Sequence, residues 1–270
     1  MKCYVCNQIV QLTKSFLYEH ENKKYFRCNS CLLVFQNPLP SNAELKNLYN
    51  KEYFNQNYSD DNNDYNLRKI QYKLDKKIIL NHYKDKKFNK ILDYGCGNGN
   101  FLKLFKSKKF GFEFNNYADV DKSIKRLNHK QVYDQEYDLI IMRGVIEHIP
   151  KFNNLIKKLS KCVKQDGLFF ITATPNSNNL TFFLSNKDFN QNHPGHLYHF
   201  NNVNLSLLFL KNNFHNIDMR FEYVNTPYAN LKNDFNYLKN QLKRYHNKKI
   251  STYSPPSVGN MMTAIFKKMK

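Results

Sequence analysis

Ile91-Leu92-Asp93-Tyr94-Gly95-Cys96-Gly97-Asn98-Gly99-Asn100-Phe101-Leu102 reads as a short apolar strand, a turn with glycine at alternate positions, and a helix beginning near Asn100. Glycine in such a turn takes positive φ and lets a ligand lie directly against the backbone. A strand feeding a glycine-rich turn at a helix N-terminus is the first unit of a Rossmann-like nucleotide site. A pyrophosphate-binding turn reads G-x-G-x-x-G, whereas here the third glycine comes one residue early and Asp93 precedes the turn. That departure points away from a dinucleotide.

From Lys90 onward strands and helices alternate, which predicts a mainly parallel sheet. Phe110-Gly111-Phe112-Glu113-Phe114 is the second sheet strand and carries Glu113, 20 positions after Asp93. A carboxylate at that distance is placed to accept hydrogen bonds from ribose hydroxyls. The stretch from Asn115 to Glu136 is short, so a truncated third strand with few base contacts is expected there. Tyr137 to Met142 forms the next strand, followed by Arg143-Gly144-Val145-Ile146-Glu147-His148-Ile149-Pro150. Phe152, Leu155, Ile156, Leu159 and Val163 then recur at helical spacing. Gly167 to Ala173 is a strand running into Thr174-Pro175-Asn176. A helix carrying Val203, Leu207, Leu208 and Leu210 follows, then a strand over Ile217–Phe221. A basic, Tyr-rich insertion runs from Tyr228 to Lys249, and Asn260–Phe266 reads as a final antiparallel strand.

Upstream, Cys3-x-x-Cys6 and Cys28-x-x-Cys31 are separated by 21 residues. Two such knuckles suit a tetrahedral zinc with four thiolates, and with every position filled the zinc would be structural. A redox pair is the competing reading. The strand-like runs Phe16–Tyr18 and Tyr25–Arg27 complete a zinc ribbon, which is too small to fold securely without metal. Asn37-Pro38-Leu39-Pro40 is a rigid connector, and Ser41-Asn42-Ala43-Glu44 has capping-box spacing for a short helix through Tyr49. Asn55 to Asn66 reads as a loop or lid, and Leu67, Ile70, Leu74 and Ile78 mark one apolar face of a helix. The expected domains are therefore a ribbon over 1–37, a helical connector over 38–87 and a catalytic domain over 88–270, with an insertion at about 226–258.

The motif around Gly95 closely resembles motif I of class I S-adenosylmethionine (SAM) dependent methyltransferases, whose cofactor is a nucleoside without phosphates. Glu147-His148-Ile149-Pro150 looks like that family's "vlEHi-p" segment, and Thr174-Pro175-Asn176 matches its "tPN". The order of knuckles, Asn-Pro-x-Pro and a Leu-Tyr-x-x-x-Tyr-Phe segment resembles the N-terminal module of bacterial sugar and polysaccharide-locus methyltransferases. His193-Pro194-Gly195-His196-Leu197-Tyr198-His199-Phe200 is similar to the "H-x-x-H-l-x-x-F" element of sugar C-methyltransferases. The resemblance implies an α/β, Rossmann-like, seven-stranded class I methyltransferase sheet with an N-terminal zinc ribbon. It implies a SAM site at Asp93, Gly95, Cys96, Gly97, Gly99, Glu113 and Arg143. Glu147, Asn176, His193 and Tyr198 would face the acceptor, a sugar, nucleotide-sugar or surface-glycan precursor. His196 is the expected general base and His148 the other candidate, since an imidazole titrates near neutrality. Relatives carry a glutamate just before the second histidine of that element, where this chain has Gly195, which leaves the base and an O- or C-methyl product open. A metal at the His triplet is the weaker reading, because no carboxylate or cysteine lies in the loop.

The 270 residues carry a formal charge of +20, from 36 lysines and only 6 arginines against 22 acids. Nucleic-acid recognition recruits arginine forks, and the lysines are spread along the chain, so the charge reads as a solvated surface that attracts an anionic substrate. No apolar run approaches the roughly 20 residues needed to span a bilayer, and the N-terminus has no signal-peptide pattern. A cytoplasmic enzyme is expected. An RNA methyltransferase using ribbon and basic surface, and a non-catalytic SAM-binding partner protein, are the alternatives.

Overall fold

The structure, a computed structural model, describes residues 1–53, 63–83, 87–179, 182, 193, 195–221, 223, 225–245 and 259–270. After the first knuckle and a single helical turn, α1 (Leu12–Ser15), the N-terminal unit forms the strands β1 (Phe16–His20), β2 (Lys23–Arg27) and β3 (Val34–Gln36). Then comes α2 (Asn42–Leu48), capped by Ser41 in a reciprocal box with Glu44 as its spacing predicts. The long helix α3 (Asn63–Asn81) precedes the main sheet. Of the expected polar lid, residues 55–62 lie outside the described residues, and Asn63 already opens α3.

The apolar face expected on α3 is rotated. Ile70 is 50% exposed, while Asp75 and Ile79 are fully buried. One of the two fully buried positions among its described residues is a carboxylate, which periodicity of apolar residues does not register.

The main sheet collects β4 (Lys90–Tyr94), β5 (Lys108–Phe112), β6 (Lys125–Leu127), β7 (Tyr137–Arg143) and β8 (Val163–Pro175). These five run parallel, in the order β8-β7-β4-β5-β6. Strands covered on both faces carry continuous apolar runs, and β7 is buried from Tyr137 through Met142. Asp138 fastens the start of β4 to β7: its Oδ2 accepts from the Asn89 and Lys90 amides at 2.8 and 2.7 Å. The truncated third strand is present as the three residues of β6.

No α-helix follows the glycine turn. A single 3₁₀ turn, Leu102–Leu104, stands in its place, because only Asn100 to Ser107 separate Gly99 from β5. Eight residues must reverse direction and cross the sheet, which leaves no length for α-helical turns.

Helix α4 (Phe152–Lys161) buries Phe152, Leu155, Ile156 and Leu159, as expected. The two residues of β9 (Tyr198–His199) cross back to pair with β3, completing a four-stranded sheet β1-β2-β3-β9. On α5 (Asn202–Leu210) the buried residues are Asn204, Leu205, Leu208 and Phe209, whereas Val203 and Leu210 are exposed, so this face too is rotated from the expected one. Asn201 and Asn204, its cap residues, reach the second knuckle by donating to the Leu32 and Cys31 carbonyls. Strand β10 (Phe214–Arg220) and β11 (Met261–Lys268) close the sheet, with β11 antiparallel between β8 and β10. The full order is β10-β11-β8-β7-β4-β5-β6. The insertion contains α6 (Leu231–Tyr245), and its last part, 246–258, lies outside the described residues.

One apolar core runs from Cys3, Val5 and Phe35 of the N-terminal unit through Tyr198 and Phe152 to Ile140 and Phe169 of the main sheet. Among the described residues no helix is long and apolar enough to cross a membrane.

Candidate active site

The carboxyl ends of β4, β5 and β7 open into a cleft of about 600 Å³ lined by Gly95, Glu113, Phe114, Tyr117, Arg143 and His148. A cleft beyond the strand ends of an open α/β sheet is where such folds take ligands. Gly95 has φ of 83° and a Cβ there would lie 2.6 Å from Val145 Cγ2, so the turn admits no side chain at this point. Gly97 donates its amide to Glu113 Oε2 at 2.8 Å, and Phe114 donates to Oε1 at 2.8 Å. Burial raises the Glu113 pKa and these amide bonds oppose the rise.

Asp93 is 3% exposed, and its Oδ1 is buried with no hydrogen-bond partner among the described residues. Burial pushes its pKa up to about 7, against the pull of the Arg143 charge. An orphaned carboxylate oxygen beside a glycine turn fits a cationic, hydroxyl-bearing ligand, which SAM is. Cys96 is packed away from the cleft: its Sγ lies where a Cβ on Gly111 would come to 2.8 Å. Burial raises its thiol pKa, and only its backbone borders the turn. Arg143 is stacked over Tyr72 at 4.9 Å and faces Asp75 at 3.5 Å, which ties the end of β7 to α3. Phe114 and Tyr117, about half exposed, add aromatic walls to the cleft. Sequence reasoning missed both, although Phe114 directly follows the acidic residue and that adjacency was the available signal.

At His148, in the wall of the cleft, three imidazoles meet. His148 and His196 have ring centroids 4.7 Å apart, and His193 lies 5.0 Å from His196. The contact is made by Leu197, whose amide donates to the Glu147 carbonyl at 2.9 Å while its carbonyl accepts from Gln36 at 2.8 Å. His148 Nδ1 lies 2.8 Å from the Gly195 carbonyl and 2.7 Å from the Tyr49 hydroxyl. Donation of Nδ1–H to that carbonyl leaves the Nε2 lone pair as the basic site. Burial lowers the His148 pKa to about 3, so the ring is neutral at physiological pH. Glu147 is buried behind it, its Oε1 3.9 Å from His148 Nε2 and its Oε2 accepting from Thr174 Oγ1. Burial pushes the Glu147 pKa up to about 8.

The three ring nitrogens are close enough to hold a metal. However, His193 Nδ1 accepts the Gly195 amide at 3.1 Å, which leaves its proton on Nε2. Metal-bound imidazoles instead donate their second nitrogen, so the trio suits proton transfer better than ligation. The third histidine of the loop run, His199, belongs elsewhere: it is fully buried beside Tyr18 and Tyr25 of the small sheet. Tyr198 is 1% exposed and donates its hydroxyl to the Pro150 carbonyl. Asn176 donates to the Gly259 carbonyl at 2.7 Å, fastening the end of β8 to the start of β11.

The four knuckle cysteines converge as their spacing predicts. Cys3 and Cys31 sulfurs are 3.6 Å apart, Cys6 and Cys28 sulfurs 3.5 Å, and all four lie within 4.8 Å of one another. Ligands at about 2.3 Å from a tetrahedral zinc lie roughly 3.8 Å from each other. The tetrad fits that ion.

A family profile described as a methyltransferase domain matches residues 67–219. No curated protein gives a significant sequence match. Among solved structures, the fold is similar to a 1,6-didemethyltoxoflavin-N1-methyltransferase from Burkholderia thailandensis with bound S-adenosylhomocysteine. That likeness has a TM-score of 0.53 at 12% identity, over 95% of this chain and 100% of that one. It is also similar to a magnesium protoporphyrin IX methyltransferase from Synechocystis, with TM-score 0.51, 10% identity, and 83% and 95% of the two chains covered.

Proposed function

The chain belongs to the class I SAM-dependent methyltransferases, and from that membership we propose that it methylates a sugar-type small molecule, a nucleotide-sugar or surface-glycan precursor, with a histidine as base. The observation that carries this reading is the packing of His196 against His148, which lines the cleft, 4.7 Å ring to ring. SAM supplies a methyl group already activated on its sulfonium, so the protein's task is alignment and exclusion of water. Asp93, the turn from Gly95 to Gly99, Glu113 and Arg143 would hold the cofactor. His196 or His148 would take the proton that the acceptor loses as its bond to the methyl carbon forms, and burial keeps the His148 ring neutral. Glu147, Asn176 and His193 would shape the acceptor side.

Around that centre we assign residues 1–37 to a zinc ribbon, 38–87 to a helical connector and 88–270 to the catalytic domain, with structural zinc on Cys3, Cys6, Cys28 and Cys31. The composition, poor in arginine, favours a small-molecule acceptor over RNA.

The test offers labelled SAM with two pools, nucleotide sugars and glycan precursors on one side and total RNA on the other. Label is expected in the sugar pool and lost in His196→Ala and His148→Ala, with SAM affinity unchanged within twofold. Label in RNA, or full turnover in both variants, would overturn the reading.

A further inference from the structure

Three of the chain's six arginines, Arg68, Arg143 and Arg220, converge with Lys77 on one cavity of about 560 Å³. It lies between α3, the ends of β8 and β10 and the start of β11, and it shares Arg143 with the cofactor cleft. In a chain with 36 lysines, a cavity lined at random would show lysines. No carboxylate is among the described residues of its lining. The acids that orient the guanidinium groups stand outside it: Asp75 faces Arg143, and Asp218 accepts from Arg220 Nε at 2.7 Å. Asp218 is held in turn by His82 at 2.7 Å. Arg143 Nε is buried with no hydrogen-bond partner among the described residues, a donor whose desolvation calls for an acceptor. Thr172 and Thr263, hydroxyls 2.7 Å apart, add polar lining.

We propose that this cavity binds the phosphate or diphosphate of the methyl acceptor, so that the substrate is a phosphorylated small molecule reaching past Arg143 into the cleft. This deepens, and rests on, the small-molecule reading above. Guanidinium forks match phosphate oxygens in pairs and remain charged at any physiological pH. A concave wall of arginines and lysine, with no carboxylate among its described lining residues, also concentrates anions at its mouth. The neighbouring cleft is lined by the carboxylate of Glu113, with Asp93 buried at the foot of its glycine turn, so the two cavities differ in charge.

The experiment is calorimetric titration of inorganic pyrophosphate into the full-length protein, with and without saturating S-adenosylhomocysteine. Binding is expected at equal affinity in both, weakened at least tenfold in Arg220→Gln and in Lys77→Gln. Lys77 is exposed, so its replacement leaves folding intact. Absence of binding, competition by S-adenosylhomocysteine, or unchanged affinity in both variants would overturn the site. Failure of the broader reading shows differently, as methyl label in RNA, whatever pyrophosphate does.

Discussion

The Tyr49 hydroxyl, 2.7 Å from His148 Nδ1, fills the space that a Cβ at residue 195 would need. Gly195 is thus matched to a tyrosine 146 positions away. A larger residue there would displace Tyr49 from the imidazole.

Gly195→Ala is expected to cost about 1–3 kcal/mol of stability, as overpacking does, and to reduce turnover with SAM affinity kept. Tyr49→Phe removes the clashing oxygen, so the double variant Gly195→Ala/Tyr49→Phe should be more stable than the sum of the singles. Urea denaturation of the four proteins closes the cycle. Strict additivity would mean that the two residues do not meet.

SAM affinity should depend on pH through Asp93. With its pKa raised to about 7 by burial, Asp93 holds a proton in the ligand-free protein below that pH. A cationic cofactor binds the ionised form, so the proton must leave, and affinity tightens as pH rises from 6 to 8. The dissociation constant should fall severalfold and then level off, and Asp93→Asn should flatten the profile. The acid side of the profile is not a His148 titration, since that ring protonates only near pH 3.

Asp75→Ala should destabilise the fold by about 3–5 kcal/mol, the usual cost of stripping one member from a buried ion pair. It leaves Arg143 without its carboxylate at 3.5 Å. Replacing both residues, as in Asp75→Leu with Arg143→Met, should recover much of the loss in denaturant melts.

The purified protein should contain one zinc per chain, measured by elemental analysis. Cys28→Ser should lose it, and chelation should lower the melting temperature in the wild type only. Zinc retained in Cys28→Ser would remove this cysteine from the ligand set.

Local features of the chain were legible from sequence. Asp93, the glycine turn and Glu113 are near one another in sequence, and so are the two knuckles, because each depends on short-range spacing. The segment after Gly99 is a 3₁₀ turn and not the expected helix, since the pattern announces a start and says nothing of the room available. Asp75 carries no local signal, because its partner Arg143 is distant in the chain. The meeting of His148 and His196 was likewise invisible as geometry: it depends on Leu197 bonding to Glu147 and Gln36 at once. At Gly195 the sequence shows only a missing glutamate, and the reason for glycine, Tyr49 in its Cβ space, lies far away in the chain.

Strand β9 joins two things that a modular view would keep apart. Tyr198 and His199 pair with β3 of the cysteine-bearing sheet, and they follow His196 by two and three residues. The N-terminal unit is therefore no detachable cassette. A chimera that borrows it from a relative must import residues 196–201 along with it, or the graft will misalign its own histidine. By the same linkage, a disturbance at the four cysteines would reach His196 through β3 and β9 rather than stay local.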